Sequence, residues 1–310
     1  MKKALIVLVV LAVIAAGAGW SLSAPTRMTE QQAAALKTGD PVKGELVFWA
    51  GGCASCHAAK DAKGEDLLNL GGGLRLETPF GVFVAPNISS SEADGIGAWS
   101  LTDFANAMTH GTSPDGANYY PAFPYSSYAR MSVEDLGDLY AFFKTLPSVE
   151  GKAPGHELGF PFNIRRGLGL WKRLFLNPEP VIAAPVSGNE VDQALWDRGR
   201  YLVEGPGHCG ECHTARDIAG GLILSHWLGG APAPTGEGRI PDITPVEGKF
   251  GSWSAADIAY YLESGFTPEY DSVGGEMVKV QENMARLPAS DREAIAAYLK
   301  AIPVVAPTAN

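Results

Sequence analysis

Cys53-Ala54-Ser55-Cys56-His57 and Cys209-Gly210-Glu211-Cys212-His213 both read C-x-x-C-H. On a helical turn, residues three and four apart share one face, so two thiols and an imidazole stand together. That spacing is the attachment signal for c-type haem: each thiol adds to a vinyl group and the histidine reaches the iron. A zinc site made from two C-x-x-C pairs uses the same cysteines, but it gives no reason for a histidine directly after each pair. Disulfides leave both histidines unexplained too. The chain has four cysteines, all inside the motifs. The expected cofactors are therefore two covalently attached haem c groups, with Cys53, Cys56, Cys209 and Cys212 as thioether residues and His57 and His213 on iron.

The second motif follows the first by 156 positions, and neighbouring landmarks keep nearly the same offset. Gly72-Gly73 answers to Gly229-Gly230, Pro86-Asn87-Ile88 to Pro241-Asp242-Ile243, Trp99-Ser100 to Trp253-Ser254, and Pro147 to Pro303. A whole domain is duplicated. Each copy reads mainly as helix. Asp40-Pro41 is an N-cap followed by proline at the first helical position, and a similar helix is expected over 191–203. Ser100 and Ser254 each precede an Asp by three residues, and those helices stop at Gly111 and Gly265. A last helix begins near Ser132 in one copy and near Ser290 in the other. Its apolar face is Leu136, Leu139, Tyr140 and Phe143, or Ile295, Tyr298, Leu299 and Ile302. The glycine- and proline-rich stretches 71–97 and 220–251 are expected as loops over haem. The organisation is 1–24 signal peptide or membrane anchor, 25–39 tether, 40–150 first domain, 151–190 connector and 191–305 second domain. In the connector, Phe160, Phe162, Arg165, Arg166, Trp171, Lys172, Arg173 and Phe175 read as side chains packed across both domains, with a docking surface as the alternative.

Lys2 and Lys3 precede a 17-residue apolar run from Ala4 to Trp20. The run marks an exported chain, either as a cleaved signal with its site near Ala16-Gly17-Ala18 or as a retained anchor ending at an interfacial Trp20. The inner lysines place the body in the periplasm in both cases. With 46% hydrophobic residues the 310-residue chain has ample core, and its net charge of −10 speaks against nucleic acid as a partner. An acidic surface favours a redox partner with a basic docking patch.

The sixth iron ligand separates a carrier from a catalyst. In the second copy Met277 lies 13 residues before Ser290 and is the candidate, with Met284 as a rival. In the first copy the matching stretch is Tyr120-Pro121-Ala122-Phe123-Pro124-Tyr125, without methionine. There Met131, His110, Met108 and an open or hydroxide-bound iron remain alternatives. Met131 is also explained as a staple to Leu136. The carbonyls of Pro86 and Pro241 are candidates to accept the imidazole N–H. Arg75, Trp99 and Trp253 are candidates to face propionates, or to pack.

The string Gly71-Gly72-Gly73-Leu74, Glu77-Thr78-Pro79-Phe80-Gly81, Pro86-Asn87-Ile88, Gly95-Ile96-Gly97-Ala98-Trp99-Ser100, Pro114-Asp115-Gly116 and Tyr120 to Tyr125, with Gly205-Pro206-Gly207-His208 before the second motif, resembles the multihaem cytochrome c subunits of periplasmic, membrane-bound alcohol and gluconate dehydrogenases. The resemblance covers most of the chain from Asp40 onward. It implies two tandem class I-like cytochrome c domains and electron transfer from a dehydrogenase, or a quinol-oxidising complex, towards a downstream acceptor or terminal oxidase. It implies Met277 as distal ligand of the second haem. Two departures stand out: those subunits commonly carry three haems, and Phe123 occupies a position where a ligating Met is often found. The expected function is a dihaem electron carrier rather than an enzyme. A dihaem peroxidase-like oxidoreductase with an open first haem is the alternative, and a haem-based sensor ranks behind both.

Overall fold

The computed structural model describes residues 1–186, 191–233, 238–247 and 250–305. Parts of the expected second haem loop (234–237, 248–249) and the end of the connector (187–190) lie outside the described residues.

The apolar N-terminus forms helix α1 (Lys2–Leu22), none of whose residues is buried. It is followed by the short α2 (Glu30–Ala35), closed by a capping box between Thr29 and Gln32. Five helices follow in the first half: α3 (Pro41–Ala50), α4 (Cys53–His57), α5 (Leu101–His110), α6 (Tyr125–Tyr128) and α7 (Val133–Phe143). The connector supplies α8 (Leu168–Phe175). The second half then repeats the order with α9 (Gln193–Glu204), α10 (Gly210–His213), α11 (Ala255–Ser264), α12 (Met277–Met284) and α13 (Ala289–Lys300). Strands are minor. β1 (Arg75–Thr78) and β2 (Gly81–Val84) form a hairpin that β3 (Glu157–Leu158) extends, and β4 (Ala231–Pro232) pairs with β5 (Arg239–Ile240).

Local chemistry sets most helix ends. Asp40 accepts the Val42 N–H at 2.9 Å in front of Pro41. Ser100 and Ser254 each form a full capping box with the Asp three residues on, and Gly111 and Gly265 end those helices in the left-handed conformation. The last helix of the second half begins at Ala289 after Pro288, one residue before the expected Ser290.

In each half the first and last helices cross at a glycine. A Cβ on Gly44 would lie 2.0 Å from the Asp138 carbonyl oxygen, and one on Gly199 would lie 1.9 Å from that of Ala294. The backbones of α3 and α7, and of α9 and α13, therefore approach closer than any side chain permits. Phe48, Leu136, Leu139, Trp196, Ile295 and Tyr298 are buried around these crossings. The buried residues of both halves join in one apolar cluster, so the halves meet across an apolar seam.

Residues 25–39 were expected as a tether, but they are fastened to the body. Arg27 donates to the carbonyls of Ser113 and Pro114, Thr112 Oγ1 donates to the Thr26 carbonyl, and the Met28 N–H reaches Asn106 Oδ1 at 2.8 Å. The connector side chains also divide. Trp171 stacks edge-on to Tyr125 and donates to the Ala219 carbonyl, and Phe175 lies against Gly221. Phe160, by contrast, is 81% exposed.

Lys172 is a buried cation without a carboxylate partner among the described residues. Its ammonium donates to the Gly111 carbonyl (2.6 Å), Asn118 Oδ1 (2.8 Å) and Thr112 Oγ1 (3.2 Å). Burial pushes its pKa down to about 7.

Two outcomes follow. Gly199→Ala is expected to destabilise the holoprotein by about 1–3 kcal/mol in denaturant titrations, the usual cost of overpacking. Gly155→Ala, where a Cβ meets open space, is expected to stay near neutral. For Lys172 the folded pKa lies below the unfolded value of about 10.4, so between roughly pH 7 and pH 10 the unfolded chain holds a proton that the folded chain has released. Stability is expected to rise with pH through that window, and Lys172→Met is expected to remove that rise in unfolding curves measured at successive pH values.

Candidate haem sites

α4 and α10 are single turns that present Cys53, Cys56 and His57, and Cys209, Cys212 and His213. His57 Nδ1 donates to the Pro86 carbonyl at 2.8 Å, and His213 Nδ1 donates to the Pro241 carbonyl at 2.8 Å. These bonds fix each ring and leave Nε2 as the lone-pair nitrogen. Burial lowers both imidazole pKa values against the raising effect of the carbonyl, so the rings are neutral, the form that binds a metal. The anchoring prolines are held in turn. Gly72 N–H donates to the His57 carbonyl and Gly230 N–H to that of His213, both at 2.8 Å. Both glycines have positive φ, and a Cβ on either would strike the Pro86 or the Pro241–Asp242 backbone.

None of the four cysteines forms a disulfide. Burial, with the neighbouring thiol adding to it, pushes Cys53 and Cys209 up to about 12. Among the described residues no three His, Cys, Asp or Glu side chains converge as a metal site, which is what a zinc tetrahedron requires. Two adjacent neutral thiols and one oriented imidazole fit a haem bound covalently at its edge and axially at its iron.

The structure brings the two turns together. Asn283 Nδ2 of α12 donates to Ser55 Oγ at 2.8 Å, inside the first motif, and Lys279 Nζ donates to the Ser55 carbonyl at 3.3 Å. In the other direction Ser126 and Ser127 of α6 donate to Glu211 Oε1 at 2.9 and 2.8 Å, inside the second motif. Ser127 and Asn283 are equivalent positions: the Arg130 N–H bonds the Ser127 carbonyl just as the Arg286 N–H bonds that of Asn283. Ser55 and Glu211 are equivalent too, each being the third residue of its motif. Each half thus holds the other's turn by the same contact. His208 adds a further tie, with Nε2 3.2 Å from the Gly51 carbonyl and its ring 5.6 Å from that of Tyr128. Burial raises the Cys56 and Cys212 thiols, and Glu276 acts on both.

The candidate distal methionines do not occupy matching places. Met131 is buried and its N–H bonds the Tyr128 carbonyl; the same bond in the second half runs from Leu287 to Met284. Leu287 therefore stands where Met131 does. Met277, half-buried, opens α12 beside Glu276. Met284 is buried against Cys209, Leu202 and Leu287. Met108 is a core residue, and His110 Nδ1 is engaged with Thr109 Oγ1 at 2.8 Å.

Arg75, a candidate to face a propionate or to pack, is paired through both guanidinium nitrogens with Glu157 on β3. Trp253 stacks with Phe250 and Tyr261, and the Trp99 carbonyl accepts from Tyr140. Sequence reading missed the crossed contacts. Their trace was present in polar residues at matched offsets, Ser55 with Glu211 and Ser127 with Asn283.

The Cytochrome c family profile matches residues 41–147. A "Diheme cytochrome c-type" protein of Cereibacter sphaeroides is 50% identical over 305 residues, covering 98% of this chain and 100% of that protein. The fructose dehydrogenase cytochrome subunit of Gluconobacter japonicus is 37% identical over 272 residues, covering 85% of this chain and 53% of the subunit. The gluconate 2-dehydrogenase cytochrome c subunit of Pantoea cypripedii is 34% identical over 273 residues, covering 84% and 59%. This chain thus spans little more than half the length of these two dehydrogenase subunits, while it covers the whole of the dihaem protein. The chain belongs to the dihaem c-type cytochromes, and it carries two covalently attached haem c groups.

Proposed function

We propose that the chain is an electron relay in the periplasm, passing electrons from a dehydrogenase or quinol-oxidising complex to a downstream acceptor through two tandem class I-like cytochrome c domains, 40–150 and 191–305. The observation that carries this reading is the crossed bracing of the two motifs, Asn283 on Ser55 and Ser127 on Glu211. A relay needs its two centres in fixed and close relation, and those bonds hold each attachment turn against the opposite half. The repeated hydrogen-bond pattern around His57–Pro86 and His213–Pro241 supports the two-domain description.

Each haem, when bound, supplies a one-electron couple at its iron. In this reading Cys53 and Cys56, and Cys209 and Cys212, form the thioethers. His57 and His213 ligate iron through Nε2, with Pro86 and Pro241 setting ring orientation. Met131 serves the first iron and Met277 the second, while Met284 packs beside Cys209. The dehydrogenase subunits among the relatives support a dehydrogenase as donor, and α1 supports attachment to the cytoplasmic membrane.

Optical spectra of the holoprotein, oxidised and reduced, with and without carbon monoxide, test the reading. The expected result is two haems per chain by pyridine haemochrome, both low-spin and inert to carbon monoxide. Replacing both Cys53 and Cys56 by Ser is expected to lower the covalent count to one. Met277→Leu and Met131→Leu are each expected to remove one thioether-to-iron charge-transfer band and to open one haem to carbon monoxide. A wild-type protein with one high-spin haem that binds carbon monoxide contradicts the carrier reading and directs the next assay to peroxide turnover.

A further inference from the structure

The C-terminal end of α1 does not float free of the body. The Arg166 guanidinium lies 4.2 Å over the Trp20 ring, with Nη2 donating to the Trp20 carbonyl (2.7 Å) and Nε to Ser23 Oγ (3.0 Å). Arg173 Nε donates to the Leu22 carbonyl at 2.6 Å. Gly169, between them on the same face of α8, touches the Ser23 backbone closely enough that a Cβ would lie 2.0 Å from its carbonyl oxygen. α8 is therefore seated where α1 leaves the body. α1 has 21 residues, none buried, and is long and apolar enough to cross a membrane. At 1.5 Å per residue it spans ~31 Å, close to the hydrocarbon thickness of a bilayer.

α8 has three sides. Lys172, Trp171 and Phe175 enter the body. Gly169 and Arg173, with Arg166 from the turn just before α8, grip α1's end. The third side carries Leu170 and Leu174, one turn apart and 42% and 78% exposed, and Phe160 and Phe162 stand exposed just upstream. In a chain of net charge −10, residues 159–176 contain four Lys or Arg and no Asp or Glu. Neither Arg166 nor Arg173 has a carboxylate within ion-pair distance among the described residues. Exposed leucine and phenylalanine flanked by unpaired arginine, beside a Trp at the end of a spanning helix, have the composition of an interfacial helix.

We propose that the connector is a second membrane contact: α8 lies along the lipid surface at the exit of α1, with Leu170, Leu174 and Phe160 entering the headgroup–acyl boundary, while Arg166 and Arg173, bound to α1's end through some of their nitrogens, leave the positive charge that no carboxylate among the described residues neutralises beside anionic lipid phosphate. The proposal rests on the reading of α1 as a retained anchor. A protein partner fits the same apolar side chains, but continuity with the spanning helix and a local charge opposite to the rest of the chain favour lipid. Held on the bilayer at two points, the body has a fixed orientation relative to the membrane.

The test uses the full holoprotein in vesicles of phosphatidylcholine with and without phosphatidylglycerol. A benzoylphenylalanine photocrosslinker is placed at Leu174 or Phe160, and at Tyr270, 94% exposed in the second half, as control. The expected result is phospholipid adducts at Leu174 and Phe160, more of them with phosphatidylglycerol, and none at Tyr270. In a Leu170→Glu/Leu174→Glu variant with an unchanged two-haem spectrum, the Phe160 adduct is expected to fall severalfold. Adducts to a second copy of the chain or to another protein, or no lipid adduct at either position, overturn the proposal. Intact mass of the membrane-derived chain reads α1 separately. A chain that has lost α1 overturns the anchor reading, and with it the paired contact proposed here, whereas an intact chain without lipid adducts at α8 overturns only the second contact.

Discussion

Asn283 donating to Ser55 and Ser127 donating to Glu211 are the same bond made twice across one seam. A hydrogen bond of this kind contributes about 1 kcal/mol net, so the pair does not hold the halves together. The apolar seam does that, with Ala50, Leu202 and Leu287 meeting beside Cys209. The crossed bonds fix register: each motif's third residue is held by the short helix before the other half's last helix, so neither turn shifts without breaking a contact to the opposite half. The glycine crossings at Gly44 and Gly199 give each half a rigid frame behind its turn.

The symmetry of the bracing makes its asymmetries informative. At the first motif a cation, Lys279, reaches the Ser55 carbonyl, and its charge opposes the burial that raises Cys56. At the second, the motif's own third residue is a carboxylate, Glu211, which accepts from Ser127 and also pairs with Arg216. Leu287 stands at the position of Met131, so the candidate distal methionine of the second half comes from a different place, at the start of α12. Charge near the cofactor is one of the terms by which a protein sets a haem potential, and the two turns differ in it.

Much of this was legible in the sequence because it is local. The C-x-x-C-H turns, the capping boxes at Ser100 and Ser254, and the left-handed ends at Gly111 and Gly265 each depend on residues a few positions apart. The Pro86 and Pro241 carbonyl contacts were also anticipated, because the repeat points to them twice. What escaped was contact between distant positions. Residues 25–39 carry no strong period and read as a tether, yet Arg27 and Met28 are fastened by partners about 80 residues away. For Arg75 propionate and packing both stayed open, because nothing local announces Glu157. The connector held two chemistries in one stretch, and only the direction of each side chain separates Trp171, packed inward, from Leu174, which faces outward.

The central claim is that the two haems form one intramolecular relay. Pulse-radiolytic delivery of a single electron to the fully oxidised holoprotein, followed at wavelengths that separate the two haems, tests it most directly. The account predicts that the electron redistributes between the haems in a first-order step whose rate is independent of protein concentration. A redistribution that appears only as a second-order process, slowing in proportion on dilution, would contradict it.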